Sequence, residues 1–588
     1  MKFKKYILNI ERRYEIMKIY GGNPGAKLWI DSEKEANGVQ HFTVHAKLSE
    51  KAVPEKFSVE FEIPHIDCYS VWSPYLSHRR HIGPSWAPST TYANIASSMP
   101  VQSVLSIGGN NRLTLAISDA MTPTAIKTGV CEENGRIIVT FTFFTETTTA
   151  IEEYSATVRI DTRDIPFYDA VYDVVSWWEN ECGYTPLNVP EHAKLPMNSL
   201  WYSYHQNLDA ESILKEARLA KELGMESIIV DDGWQTDKSG VGYSDCGDWE
   251  LATTKIPNMR ELVDKVHAEG VKLILWFSVP FVGKYSKAFE RFKDMFLSDD
   301  PYQFEHTQLD PRYKEVRDYL IGIYKKRLVE WDLDGFKLDF IDSFQLKQSS
   351  IAPDSRRDYE SLCQAVDRLM TDITVELKKI KPDILIEFRQ TYVGPAIRKY
   401  GNMLRVGDCP NDAISNRKHS LDLRLTSGKT AVHSDMLMWN KDDTPESAML
   451  QFTSILYSVP QVSVKLETLS DAHRKALKFY LSFWRKNADI LMNGKVHVFD
   501  TAHDYSAACA VLDKKAIYTC YMETVVDGEN YDELTIVKAS KNNSVYVKNC
   551  EGKSYTAVNC FGETISEGKI ESSLAEIELP LSGIMFIK

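Results

Sequence analysis

The chain has 588 residues, a net charge of −13 and 43% hydrophobic residues, enough for about three domains with substantial cores. So acidic a chain lacks the basic face by which nucleic acids and anionic membranes are bound, and neither is expected as a partner. No apolar stretch is long enough to span a bilayer. Met1 to Gly22 mixes Lys, Arg and Glu among its apolar residues without the apolar run of a signal peptide, so a cytoplasmic protein is expected, or a periplasmic or secreted one if a leader has been removed.

Before about Pro190 the chain alternates apolar and polar residues with period two, most clearly in Phe57 to Ile63 and Arg136 to Phe143, which predicts an antiparallel β-sandwich over residues 1–190. The stretch Val71-Trp72-Ser73-Pro74-Tyr75 through His81 and Trp86 reads as a long aromatic, basic loop, suited to packing between domains. From 191 to 490 the grammar changes. A strand is expected at Leu200–Tyr204; Asp209 caps a helix that Gly224 stops; Ser227 to Val230 follows as a buried strand ending in Asp231-Asp232-Gly233-Trp234. Pro257 opens a helix closed by Gly270 before the strand Lys272 to Trp276, and Asp310-Pro311 starts a helix before the strand Asp334 to Phe340. Further strands are expected at Asp383–Phe388, Met403–Val406, Thr430–His433 and Gln461–Val464.

Eight strands alternating with helices over roughly 250 to 300 residues predict a parallel (β/α)8 barrel, with chemistry at the C-terminal strand ends. No glycine-rich nucleotide loop opens any of these helices. Short alternating strands return after Leu491, predicting a small antiparallel β domain over 491–588.

Within the barrel, Lys337-Leu338-Asp339 places a lysine and a carboxylate on one face of a short apolar strand, Phe336, Leu338 and Phe340 pointing the other way. Alone, such a pair is most often a structural ion pair. The ten cysteines are scattered with no Cys-x-x-Cys, consistent with free thiols; no zinc or calcium motif appears, and His205, His267 and His433 read as packing or rim residues. No cofactor is expected.

Asp231-Asp232-Gly233-Trp234-Gln235, Gly247-Asp248-Trp249, Lys255-Ile256-Pro257-Asn258, Val266-His267, Leu275-Trp276-Phe277, Lys337-Leu338-Asp339 and Gly407-Asp408-x-x-x-Asp412-Ala413 together resemble glycoside hydrolase family 36, the α-galactosidases and their raffinose-synthase relatives, over about half the chain. The resemblance implies a retaining, metal-free exo-α-galactosidase acting on α-galactoside oligosaccharides or glycoconjugates. It makes Asp339 the nucleophile and Asp408 the acid/base. Asp231 and Asp232 become acceptors for sugar hydroxyls, Trp234 and Trp276 pocket walls, and Asp412 a substrate-binding residue. Lys337 is expected to hold Asp339 ionised, while burial and the Asp339 charge are expected to raise the Asp408 pKa. Family members form dimers to tetramers, which allows a homo-oligomer.

One departure stands out. Where the family has Glu-Ser-Cys-Ser and glycines, near the sugar O2, this chain reads Glu387-Phe388-Arg389-Gln390-Thr391-Tyr392-Val393-Gly394. Arg389 either swings outward to an acid or reshapes the pocket as a substrate-binding residue. An α-N-acetylgalactosaminidase or other modified-sugar α-glycosidase, galactosyl transfer of raffinose-synthase type, and a catalytically silent sugar-binding protein are therefore alternatives to the plain α-galactosidase.

Overall fold

The computed structural model describes residues 6–7, 15–74, 80–347, 352–389 and 391–588; Tyr75 of the aromatic loop and Gln390 lie outside them. The eight parallel strands are β1 (Met197–Ser199), β2 (Ser227–Val230), β3 (Lys272–Ser278), β4 (Gly335–Asp339), β5 (Leu385–Arg389), β6 (Met403–Arg405), β7 (Ala431–His433) and β8 (Gln461–Val462). Each pairs with the next as far as β7, and β1 pairs with β8 through Met197–Gln461. Bridges His433–Val459 and Leu437–Val462 bring β7 to β8, so the barrel is nearly closed. The helices outside are α1 (Ala210–Leu223), α2 (Met259–Ala268), α3 (Lys314–Trp331), α4 (Leu362–Ile380), α5 (Ala413–Thr426), α6 (Pro445–Ser454) and α7 (Asp471–Lys486). Among the described residues, only a 3-10 turn, Ile397–Lys399, joins β5 to β6.

The period of two along each strand sorts the side chains into layers. Met197, Ile229, Ile274, Leu385, Met403 and Ala431 form an apolar plug inside the N-terminal end of the barrel. Two residues further along the same strands come Ser199, Asp231, Trp276, Glu387, Arg405 and His433, and Lys337 occupies that level on β4. The outward residues, among them Ile228, Leu273, Phe336, Leu338 and Leu404, pack under the helices in the main core. Gly335 is required on β4, because a Cβ there would meet the Leu385 carbonyl oxygen at 2.2 Å.

Several element boundaries differ from expectation; α2 begins at Met259 with Asn258, not Pro257, at its N-terminus, and two differences are larger. The run Leu200–Tyr204 is not a strand. Trp201–Tyr204 is a helical turn, and the strand lies at Met197–Ser199, where the backbone can pair with β2 and β8. Asp310 does not cap α3. Its buried carboxylate is taken by Arg312 (Nη2 to Oδ2, 2.7 Å), and the helix begins at Lys314. By contrast the Asp209 cap and the left-handed Gly224 stop of α1 form as read, with Ser212 completing a capping box.

N-terminal to the barrel, two six-stranded antiparallel sheets enclose Phe57, Val59, Phe61, Ile63, Val139, Phe141 and Phe143. In the aromatic stretch Ser70–Trp72 is a strand rather than loop, and buried Trp72 donates from Nε1 to Asp422 on α5 (2.9 Å). The C-terminal sheets carry seven and three strands. They are not wholly antiparallel. Lys515–Cys520 pairs in parallel with Glu533–Lys538 because the chain crosses to the small sheet at Val525–Asp527 between them. All ten cysteines are free thiols. Among the described residues no helix is long and apolar enough to cross a membrane.

Candidate active site

The acidic and basic side chains gather at the C-terminal ends of β2 to β6. Asp339 ends β4 almost fully buried, and its two oxygens are loaded unequally. Oδ2 accepts one hydrogen bond, from Trp276 Nε1 at 2.8 Å. Oδ1 accepts from Phe340 N (2.7 Å), Tyr392 Oη (3.4 Å) and the Arg389 Nε. Burial by itself pushes the Asp339 carboxyl up. Arg389 and then Lys337 outweigh it, with the Trp276 and Arg389 hydrogen bonds, and hold the carboxyl below its usual range.

Lys337 shares the face of Asp339 as predicted, but its ammonium pairs with Asp231 (Nζ to Oδ2, 2.7 Å) and acts on Asp339 through space. Asp232, next along, accepts from Gln206 Nε2 (2.8 Å) and Gln235 Nε2 (2.5 Å), and burial pushes its carboxyl up to about 7.

Arg389 points inward. Its Nε holds Asp339, its Nη1 reaches Asp408 Oδ2 at 3.3 Å, and the guanidinium lies 4.6 Å over the Phe340 ring. One planar cation therefore joins the two carboxylates. The loop behind it is pinned to the N-terminal sandwich: Ser98 N donates to the Thr391 carbonyl (2.6 Å), and Thr391 Oγ1 donates to Asp342 (3.0 Å). Tyr392 Oη reaches the Leu338 carbonyl (3.1 Å).

Asp408 contradicts the pKa expected of it. Burial acts upward as foreseen, but Arg405 and Arg389, with Lys337 further off, overturn it and hold the carboxyl far below the usual range. Arg405 donates to Asp408 Oδ1 (2.8 Å) and to Asp435 Oδ1 (2.5 Å). Asp435 in turn accepts from Tyr202 Oη (2.9 Å) and Cys409 N (2.7 Å).

Two predicted site residues serve elsewhere. Trp234 has no exposed surface; it packs against Trp249, Phe277 and Trp331 and donates to the Trp276 carbonyl (2.8 Å), bracing the wall from behind. Asp412 is the N-cap of α5, accepting from Ile414 N and Ser415 N at 3.1 and 3.0 Å. Asp248 likewise braces its loop, taking Lys287 N and Ala288 N. Of the histidines, His433 is buried with Nε2 on the Ala193 carbonyl (2.7 Å), its pKa lowered by burial to about 4, and His267 pairs with Asp334.

Sequence reasoning missed Arg405, Asp435 and Tyr243. Arg405 carries the same signal as Lys337, a charge in a short apolar strand, Met403-Leu404-Arg405-Val406. Tyr243, between Gly242 and Ser244 in the loop after β2, is half-buried and lies near-parallel to Trp276 with ring centroids 6.1 Å apart.

Residues 191–404 match the Melibiase family model. α-Galactosidase AgaA of Geobacillus stearothermophilus is 26% identical over 200 residues, 32% of this chain and 26% of that protein. α-Galactosidase Mel36A of Lactobacillus acidophilus is 26% identical over 156 residues, 24% of this chain and 21% of that protein. These matches span about a quarter of the length of the curated relatives. The likeness of fold extends beyond the melibiase barrel. The crystal structure of the family 36 enzyme AgaA covers 98% of this chain and 87% of its own, with a TM-score of 0.63 at 14% identity. An AgaA variant in complex with raffinose gives 0.64 at 14% identity over the same shares.

Proposed function

We propose that this protein is a retaining, exo-acting α-galactosidase that hydrolyses terminal α-galactosides in two displacements, Asp339 being the nucleophile and Asp408 the acid/base. The observation that carries the reading is the pair of carboxylates bridged by a single guanidinium at the barrel mouth, one buried, the other with its side chain 40% exposed. A double displacement needs two carboxyls about 5 to 5.5 Å apart, and one side chain touching both keeps them close. The melibiase barrel, α-galactosidases among the relatives and an AgaA structure holding raffinose support galactose as the sugar.

In the first step the Asp339 carboxylate attacks the anomeric carbon as the glycosidic bond breaks, and Asp408 gives its proton to the departing oxygen. Asp408 then takes a proton from water, whose oxygen attacks the glycosyl ester and releases Asp339. Asp231 and Asp232 accept from the sugar hydroxyls, and the half-buried Tyr243 offers the apolar face, backed by the buried Trp276. The glycosidic oxygen has to sit beside Asp408, so its 3.3 Å contact to Arg389 is the one that opens on binding.

The test is hydrolysis of a panel of p-nitrophenyl α-glycosides (galactoside, N-acetylgalactosaminide, glucoside, arabinopyranoside), with the anomer released followed by NMR. Turnover of the galactoside with α-galactose as first product is expected. β-Galactose first would overturn retention, and a panel left intact would overturn the activity.

A further inference from the structure

Resting on the double-displacement reading, we propose that Arg389 is a specificity-determining residue that requires a free 2-hydroxyl on the sugar being cleaved and shuts out 2-acetamido sugars. The unequal loading of Asp339 fixes the direction of attack. Oδ1 is occupied by Arg389 and Phe340 N, with Tyr392 Oη 3.4 Å away, whereas among the described residues Oδ2 accepts only from Trp276, so Oδ2 is the oxygen with a lone pair for the anomeric carbon. That carbon carries the ring oxygen on one side and C2 with its hydroxyl on the other.

As the bond breaks, positive charge gathers on the anomeric carbon and the ring oxygen. A guanidinium beside the ring oxygen would oppose that charge; beside the 2-hydroxyl it donates to an oxygen whose hydrogen bonds strengthen in the transition state. The productive pose therefore turns C2 toward Arg389. Its Nη2 donates to no described protein group, Nε holds Asp339, and Nη1 is the donor that lets go of Asp408 on binding.

The side chain cannot swing aside to admit a larger C2 substituent. Phe340 lies under the guanidinium, and the loop that follows Arg389 is tied to Ser98, Asp342 and, through Tyr392, Leu338. A small residue here would leave both the room and the hydroxyl unfilled.

The experiment measures kcat/KM for p-nitrophenyl α-galactoside, its 2-deoxy analogue and the 2-acetamido-2-deoxy analogue, in the wild type, Arg389→Ser and Arg389→Lys. The preference of the wild type for the galactoside over either analogue is expected to narrow roughly tenfold or more in Arg389→Ser, with Arg389→Lys between them, because a site built to bind a hydroxyl discriminates against analogues that lack it. Should both variants slow all three substrates by one common factor, Arg389 merely shapes the site and the inference falls, while the α-galactosidase reading stands. If the wild type prefers the N-acetylgalactosaminide to the galactoside, the inference falls; if the glucoside or arabinopyranoside is the substrate instead, it carries the same comparison with its 2-deoxy analogue. A wild type that turns over none, and that binds galactose no better than 2-deoxygalactose by calorimetry, overturns both.

Discussion

The ends of β4 and β6 present two aspartates in opposite settings. Asp339 is the last residue of a strand in the middle of a paired sheet, 3% exposed, with four donors on its oxygens. Asp408 lies three residues beyond its strand, in a loop, with its side chain 40% exposed and both oxygens on arginines. The difference fits a division of labour: a nucleophile has to be held in place and stay ionised, whereas a group that trades protons with leaving oxygens and water has to be reached by both. It also shows that Arg389 is shared, since the cation that keeps Asp339 ionised also keeps Asp408 from holding a proton.

Replacing the rigid partner should have the largest effect. Asp339→Asn is expected to lower kcat by on the order of 10⁴-fold or more for every substrate, measured by single-turnover release of p-nitrophenol. Asp408→Asn should cost about 10²- to 10⁴-fold on a natural oligosaccharide but less on p-nitrophenyl galactoside, whose leaving group needs little protonation, and azide should rescue the second step by forming α-galactosyl azide. Equal losses on both substrates would remove Asp408 from its role. In the wild type, protonated Asp408 becomes scarce as pH rises above its lowered pKa, so kcat/KM should fall on the alkaline side; Arg389→Ser should move that fall to higher pH.

A smaller effect should follow from the loop between the two. A Cβ on Gly394 would meet the Ser98 carbonyl oxygen at 2.5 Å, so Gly394→Ala forces the pinned loop outward. Because a displacement of about 1 Å at a reacting group costs up to ~10²-fold, a loss of roughly tenfold in kcat/KM is expected, with little change in thermal stability. Asp232 should give the mildest response. Its pKa is raised by burial to about 7, so the stability it contributes is full below the unfolded value near ~4 and is lost as pH rises through about 7. Asp232→Asn should therefore raise Tm relative to the wild type at pH 8 but not at pH 4, followed by scanning fluorimetry.

Much of this site was legible in the chain, for a reason visible in Lys337-Leu338-Asp339: charges on short apolar strands have to point into the barrel, and period two then tells which. The same rule applied to Met403-Leu404-Arg405 would have found Arg405. It fails for Trp201-Tyr202-Ser203-Tyr204, where an aromatic run suits a helical turn as well as a strand, and for Asp310, whose capping role was pre-empted by a buried arginine two residues away. Trp234 and Asp412 were misplaced because a motif gives order along the chain and says nothing of which way a loop side chain turns.

By itself the sequence determined the alternation of strands and helices, the polar strand ends and the acidic residues that stand there, since these follow from periodicity and capping, which are local. Only the tertiary structure decided that Lys337 pairs with Asp231, that Arg389 turns inward, and that Asp408 is held ionised. Those outcomes depend on which charges the closed barrel and the adjoining sandwich bring within a few ångströms, and the balance between burial and a neighbouring cation exists only once both are in place.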